Sequence, residues 1–273
     1  MLMRVCVMVR LVLVGVVMGG VVLAGGRCAA RARTEAASSA WEVVGASVRG
    51  APIVATTIEA PGGAMPARLL LVGGIHGNEP EGLAAVDPVV RMLGAEAPGV
   101  RVRIIRDLNP DGTAARTRGN ARGVDLNRNF PASNFAPARE RGASPLSEPE
   151  SAVLAREIEA FGADVVVVFH SMARGPFVNF DGPGEDLARA FAAAAGEGDA
   201  RWHVVASMGY PTPGSLGTFV GVDRGVPILT VEFRRGQGRD EVIAAAVAGV
   251  RAVARLMAGR GGGVEVNRAG GGP

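Results

Sequence analysis

His76 and His170, two of the three histidines in the 273-residue chain, each follow an apolar run, and so does Glu232. The first sits in "GGIHGNEPEG" (73–82), three residues before Glu79. The second ends "DVVVVFH" (164–170), and the glutamate sits near the end of "PILTVEF" (227–233). Imidazole nitrogen and carboxylate oxygen suit the borderline Zn2+ ion, and two histidines with one glutamate leave a fourth position for water. A further carboxylate near that water could take its proton and pass it to a leaving amine. The pattern is H-x-x-E in a strand-to-helix turn, not HExxH on one helix face. Pro80 fits the first helical position, which puts Glu79 at the cap, where the turn could aim it back at His76. Taken alone, H-x-x-E also suits a solvated turn, and a lone histidine on an apolar strand also suits a core. The metal reading needs the strands to bring the three residues together.

Four near-continuous apolar runs, at 68–74, 100–107, 164–170 and 227–233, read as strands buried on both faces of a largely parallel sheet. "WEVVGASV" and "PIVATTIE" before them read as an antiparallel hairpin. Helices are expected at 80–93, 147–161, 184–196 and 239–258, the second with Ser147 as N-cap. This order predicts one three-layer α/β/α domain with a mixed, largely parallel central sheet. Each core strand carries polar residues at its C-terminal end: His76 and Glu79; then Asp107, Asn109 and Asp111; then His170; then Glu232. Ligands of open α/β sheets bind in that crevice. Asp107 and Asp111 read as turn residues, His203 as structural, Arg234 and Arg235 as a solvated face or, in the alternative, as readers of an acidic substrate, and Glu81 as a favourable first-turn charge.

With "NPDG" (109–112), "GVDLNRNFP" (123–131), "SEPE" (147–150), "FHS", "GYPTPGS" and "TVEF" in the same order, residues 68 to 235 resemble the zinc carboxypeptidases, the carboxypeptidase A-like metallopeptidases. "GGIHGNE" is shared with acyl-amino-acid deacylases; "GVDLNRNFP" with "NPDG" and "SEPE" is far more specific. The resemblance implies one zinc ion held by His76, Glu79 and His170, with Asp125 orienting His76. It implies that Arg118 holds the developing oxyanion, and that Asn127 and Arg128 grip the substrate's terminal carboxylate. Tyr210 would close over the substrate, and Glu232 would be the general base and then the acid. The compact form is most similar to the bacterial murein peptide amidases, which cut between γ-D-glutamate and meso-diaminopimelate. A peptide or murein-peptide substrate with a free C-terminal carboxylate is therefore expected, and a monomer to act on it. Leu216, Gly217 and Thr218, after Tyr210, include no acid, which argues against selection of a basic C-terminal residue. An N-acyl-amino-acid deacylase of the aspartoacylase or succinylglutamate desuccinylase kind is the alternative.

Composition bounds the partners. The chain has no lysine, and five arginines fall within the first 33 residues, where there is no acid. Without those five, the formal charge of +3 becomes −2, so the basic character belongs to the N-terminus and implies no nucleic-acid partner. A charged start, a 16-residue apolar run from Leu11 and the small residues of "CAARA" read as a signal peptide or N-terminal anchor over 1–33. Export to the periplasm or beyond is expected, with membrane contact only through that segment. Arg27 before Cys28 fits a lipid-attachment site poorly. Residues 34–40 read as a linker, 41–259 as the catalytic domain and 260–273 as a disordered tail. Both cysteines, Cys6 and Cys28, precede the domain, so its stability rests on packing rather than on disulfides.

Overall fold

The computed structural model describes residues 40–62 and 65–261. The expected N-terminal segment, most of the linker and residues 262–273 of the tail lie outside the described residues. Eight strands form one sheet: β1 (Glu42–Ala46), β2 (Pro52–Ile58), β3 (Arg68–Val72), β4 (Arg101–Ile105), β5 (Val165–Met172), β6 (Phe177–Asp181), β7 (Val204–Val205) and β8 (Ile228–Arg234). Their order is β1-β2-β4-β3-β5-β8-β6-β7. The four apolar runs form the parallel centre, β4-β3-β5-β8. They are buried on both faces, as their lack of alternation requires. β1 pairs with β2 antiparallel, as the sequence predicts, and β2 joins β4 antiparallel. β6 returns antiparallel along β8. β6 and β7 were not among the expected strands.

Five helices cover the sheet: α1 (Pro80–Glu96), α2 (Pro110–Ala115), α3 (Pro149–Phe161), α4 (Glu185–Ala195) and α5 (Arg239–Gly261). Alternate residues of each strand serve opposite faces. Leu69, Leu71, Val167 and Leu229 meet Val86 and Val89 of α1, Phe191 of α4 and Val250 of α5. Leu70, Val72, Val166 and Val168 meet Leu154 and Ile158 of α3 on the other face. That second face also carries Phe219 and Val220 from a π-helical segment over Gly217–Val222. The three-layer α/β/α expectation holds. α5 is long and apolar enough to cross a membrane by composition. Here Val242, Ala246, Val250, Val253 and Ala254 are spent on the core instead.

One cap differs from expectation. α3 starts after Glu148, not Ser147, and no side chain caps it. The Ser147 hydroxyl accepts from Asn129 Nδ2 at 3.0 Å and donates to Glu148 Oε1 at 3.0 Å. The two acids of "SEPE" point inward. Asn120 Nδ2 donates to Glu148 Oε2 at 2.7 Å and to Glu150 Oε2 at 3.0 Å, and Glu150 Oε1 accepts from the Val48 N–H at 3.0 Å. Those bonds fix the long connection between α2 and α3.

Candidate metal centre and substrate cleft

Three elements deliver the central cluster. β3 ends at Val72 and the chain turns through His76 and Glu79 into α1, with Pro80 at the first helical position. The turn packs so closely on α2 that a Cβ at Gly77 would stand 1.9 Å from the Gly112 carbonyl carbon. Only glycine fits there. Glu79 makes no capping bond, so its carboxylate is free to bend back. Its Oε1 lies 3.0 Å from His76 Nδ1 and its Oε2 lies 2.9 Å from His170 Nδ1. The two Nδ1 atoms are 3.0 Å apart. His170 comes from β5, the neighbour of β3, and the residue paired with it on β8 is Glu232. His76, Glu79, His170 and Glu232 are all buried.

This triangle suits a metal ion. The two Nδ1 atoms, and each of them with one oxygen of Glu79, stand 2.9–3.0 Å apart, close enough for the two imidazoles and the carboxylate to share one ion. The donor set of two imidazoles and one carboxylate also matches zinc's preference. The cluster is held from behind. His76 Nε2 lies 2.9 Å from Asp125 Oδ1, in the arrangement that orients ligating imidazoles. Burial works against the charge of Glu79, yet His76 and His170 hold its carboxyl well below the carboxylate range. Asp125 also resists burial and stays low through His76 and Arg118. Glu232 behaves differently. Burial pushes its carboxyl up, and the nearby charge of Glu79 adds to that. Its Oε2 is buried without a hydrogen-bond partner.

The connection between α2 and α3 brings the arginines. Arg118 donates from Nη1 to Glu79 Oε1 and from Nε to Asp125 Oδ2, both at 2.9 Å. Asp125 starts a 3-10 turn over Leu126–Arg128 by accepting from the Asn127 N–H at 2.9 Å. The Asn127 side-chain oxygen accepts from the Leu216 N–H at 2.9 Å, which leaves its amide NH2 as the donor for the cleft. Arg128 spends one donor on the Asn127 carbonyl at 2.6 Å. Burial, with the like charges of Arg118 and Arg141, lowers its pKa, so an anion beside it would be welcome. One cavity of about 220 Å³ is lined by His76, Glu79, Arg118, Asn127, Arg128, His170, Tyr210 and Glu232. All the sequence-derived site residues but Asp125 line it directly, and Asp125 bonds three that do: His76, Arg118 and Asn127. Tyr210 stands at the mouth, exposed, with the Arg174 guanidinium 5.8 Å from its ring centre.

Glu81 and Asp181 take places the sequence did not suggest, and Arg235 takes the alternative to its solvated reading. Glu81 is more than a first-turn charge. Its Oε2 accepts from the Ser171 hydroxyl at 2.6 Å and its Oε1 from the Gly236 N–H at 2.7 Å, tying the ends of β5 and β8 together. Arg235 is not merely solvated. It lines the cavity, with Nη2 4.0 Å from Glu79 Oε1. Asp181, at the far end of β6, also lines the cavity. His203 stays outside, its Nδ1 bonded to the Arg201 carbonyl at 2.8 Å.

Asp111 serves the fold, accepting from the Arg49 N–H at 2.9 Å. Asp107 Oδ1 accepts from Thr113 Oγ1 and the Asn109 N–H, both at 3.1 Å, while burial pushes its carboxyl up to about 6. A raised carboxyl contributes stability below its unfolded pKa and loses it as pH rises through the folded value. Asp107→Asn, which keeps the accepting oxygen, should therefore stabilise the protein by about 1–2 kcal/mol at pH 8. The gain should shrink through pH 6 and vanish below about pH 4. Urea unfolding across that range measures it, and an equal gain at pH 4 and pH 8 contradicts the cause given.

The fold and this cleft define an α/β domain of the zinc carboxypeptidase-like type. Residues 66–257 match the model of the succinylglutamate desuccinylase/aspartoacylase catalytic domain, and the chain belongs to that family. It is 33% identical over 225 residues to murein peptide amidase A of Escherichia coli K12, covering 74% of this chain and 85% of that protein. The crystal structure of a murein-tripeptide amidase from Escherichia coli O157 is 30% identical, with a TM-score of 0.59 over 83% of this chain and 96% of that one. Carboxypeptidase A of Helicoverpa armigera has a TM-score of 0.68 at 18% identity, covering 81% of this chain and 69% of that one, a likeness of fold. The chain is an enzyme, a hydrolase.

Proposed function

We propose that this protein is a zinc metallocarboxypeptidase that hydrolyses the amide bond next to a free C-terminal carboxylate. Its substrate class is the murein peptide with a γ-D-glutamyl-meso-diaminopimelate bond, and it acts outside the cytoplasm as a monomer. The observation that carries the reading is the convergence of His76, Glu79 and His170 with Glu232 in a cleft that also holds Arg128. The likeness to murein peptide amidases supports the substrate class. The arginine-bearing apolar segment over 1–33 supports export.

His76, Glu79 and His170 would hold the zinc. Bound there, zinc supplies Lewis acidity, which polarises a carbonyl and lowers the pKa of a water to about 7. The rest falls to side chains. Arg128 and the Asn127 amide bind the terminal carboxylate; a planar guanidinium matches a planar anion. That grip places the last amide bond, and no internal one, beside Glu232. Glu232 takes the proton of the attacking water, which its raised pKa favours, and delivers it to the leaving amine. Arg118 faces the oxygen that gains charge, a contribution of about 3 kcal/mol by analogy with other oxyanion donors. Tyr210 at the mouth excludes water. Asp125 keeps His76 in the orientation that ligation needs. Asp125→Asn should weaken zinc about 10- to 100-fold, read by competition with a chromogenic chelator. Unchanged affinity would remove Asp125 from this role.

The assay that tests the reading compares γ-D-glutamyl-meso-diaminopimelate peptides, C-terminal dipeptides and N-acyl-amino acids on zinc-loaded protein. Release of the C-terminal amino acid supports it. The family match favours a second reading, an N-acyl-amino-acid deacylase. Cleavage of small acylated amino acids without peptide turnover selects that one.

A further inference from the structure

The cleft holds a third arginine that neither the metal triangle nor the carboxylate grip uses. Arg235 follows β8 at the corner of the turn 234–237, which the Gln237 N–H closes onto the Arg234 carbonyl at 2.9 Å. Gly236 takes the next place with a φ of 75°, the left-handed conformation that such a turn reserves for glycine. The turn is pinned twice more. The Arg235 N–H donates to the Met172 carbonyl at 3.0 Å, and the Gly236 N–H donates to Glu81 Oε1 at 2.7 Å. The backbone is therefore fixed, and the side chain lines the cavity half-exposed. Its guanidinium is underused. Nη2 reaches the Ser171 carbonyl at 3.4 Å, and the one carboxylate within 4.0 Å of it among the described residues is that of Glu79. Glu79 has nothing to spare. Its Oε1 lies 3.0 Å from His76 Nδ1 and accepts from Arg118 Nη1 at 2.9 Å, while its Oε2 faces His170 and the Ser171 N–H. A guanidinium fork with free donors in a substrate cleft suits a carboxylate of the substrate.

We infer that Arg235 is a specificity-determining residue, which binds a free carboxylate on the acyl side of the scissile amide. The inference rests on the carboxypeptidase reading and deepens it. The order of contacts across the cleft sets the side. Arg128 lies among the charges of Asp125, Arg118 and Arg141; Arg118 bonds Glu79; and Arg235 stands beyond Glu79, where β5 and β8 end. A substrate with its terminal carboxylate on Arg128 passes Arg118 and the triangle before it meets Arg235. What arrives there belongs to the acyl residue. A γ-linked glutamate fits the place, because its amide uses the side-chain carboxyl and leaves the α-carboxylate free. That carboxylate lies four bonds from the scissile carbonyl carbon, about 5 Å when extended. An apolar acyl residue brings no charge there, and the α-carboxamide of the same glutamate has the size without the charge.

The test uses zinc-loaded full-length protein, wild type and Arg235→Gln. Two γ-D-glutamyl peptides end in meso-diaminopimelate and differ in one group, the glutamyl α-carbon carrying a carboxylate or a carboxamide. The wild type should favour the carboxylate, and Arg235→Gln should cut the ratio of kcat/KM for acid over amide about 10-fold. The low end of the range for a charged hydrogen bond applies, because the side chain is 49% exposed. A merely structural role would lower both rates and leave their ratio alone, so an unchanged ratio overturns the assignment. The pair is repeated with lysine in place of meso-diaminopimelate. A loss in Arg235→Gln that follows the second carboxylate of meso-diaminopimelate, and not the glutamyl one, also overturns it. If no peptide is cleaved, the carboxypeptidase reading falls, and calorimetry with the same acid and amide decides Arg235 separately. Tighter binding of the acid that Arg235→Gln abolishes would still uphold Arg235; equal binding of the two, or none, would reject it.

Discussion

Glu232→Gln should lower kcat about 10³-fold or more on whichever amide the enzyme cleaves, and leave one zinc per chain in place. The expectation follows from what the side chain has around it. Glu232 sits on β8 directly beside His170 of β5, so its carboxyl faces the same cavity as the metal-ligand triangle. Its Oε2 has no partner, so nothing competes for a proton it has taken. General acid–base groups contribute about 10²–10⁴-fold, and here one residue would serve twice, as base and then as acid. Glutamine has the same shape and cannot carry the proton. It also ends the cost of a buried charge. Burial raises the folded pKa of Glu232, which means lost stability at neutral pH, so the variant should melt at the wild-type temperature or above it. A folded, zinc-loaded Glu232→Gln enzyme that keeps more than a tenth of wild-type kcat would remove Glu232 from the chemistry.

The centre of the fold could be read from the sequence because burial on both faces leaves a plain mark. "RLLLV", "VVVVF" and "ILTV" have no alternation to confuse with a half-exposed strand, and "RVRII", where Arg101 and Arg103 flank Val102, joins them in the sheet centre with Arg103 itself buried. The edge could not be read this way. "FVNFD" mixes apolar and polar residues, and only its pairing with β8 makes it a strand. The cap of α3 failed for a related reason. Ser147 has the right chemistry for an N-cap, but Asn129, from a distant loop, claims its hydroxyl. Local propensity yields to such tertiary bonds.

The site divides in the same way. His76 and Glu79 lie three residues apart, with a proline to fix the turn, so their meeting was implied locally. The meeting with His170 and Glu232 followed from the rule that parallel strands carry ligands at their C-terminal ends. Glu81 was out of reach, because its partners Ser171 and Gly236 are 90 and 155 residues away. Asp181 was out of reach as well. It stands on an antiparallel return, against Gly217 of the segment after Tyr210.

His76→Ala should abolish stoichiometric zinc while the protein stays folded, and the reason both can be true lies in how the charges are shared. Removing His76 leaves Glu79 with His170 Nδ1 at 2.9 Å, with the Ser171 N–H at 3.1 Å and with Arg118 Nη1 at 2.9 Å. Asp125 keeps Arg118 Nε at 2.9 Å. Neither carboxylate is stranded, so the unpaired-charge penalty that usually unfolds such variants does not arise. The metal has no such reserve. Three donors would hold it, and the loss of one should weaken binding about 10²–10³-fold, as a share of the free energy typical of protein zinc sites. A ligand that binds only the folded state adds RT ln(1 + [L]/Kd), about 4 kcal/mol at a thousandfold excess over Kd. Zinc added to chelator-stripped wild type should therefore raise its melting temperature by several degrees. The same zinc should leave His76→Ala nearly unmoved, and elemental analysis after gel filtration should find the variant metal-free. One zinc retained per chain in that variant would place the metal elsewhere, and the assignment of His76, Glu79 and His170 would fall with it.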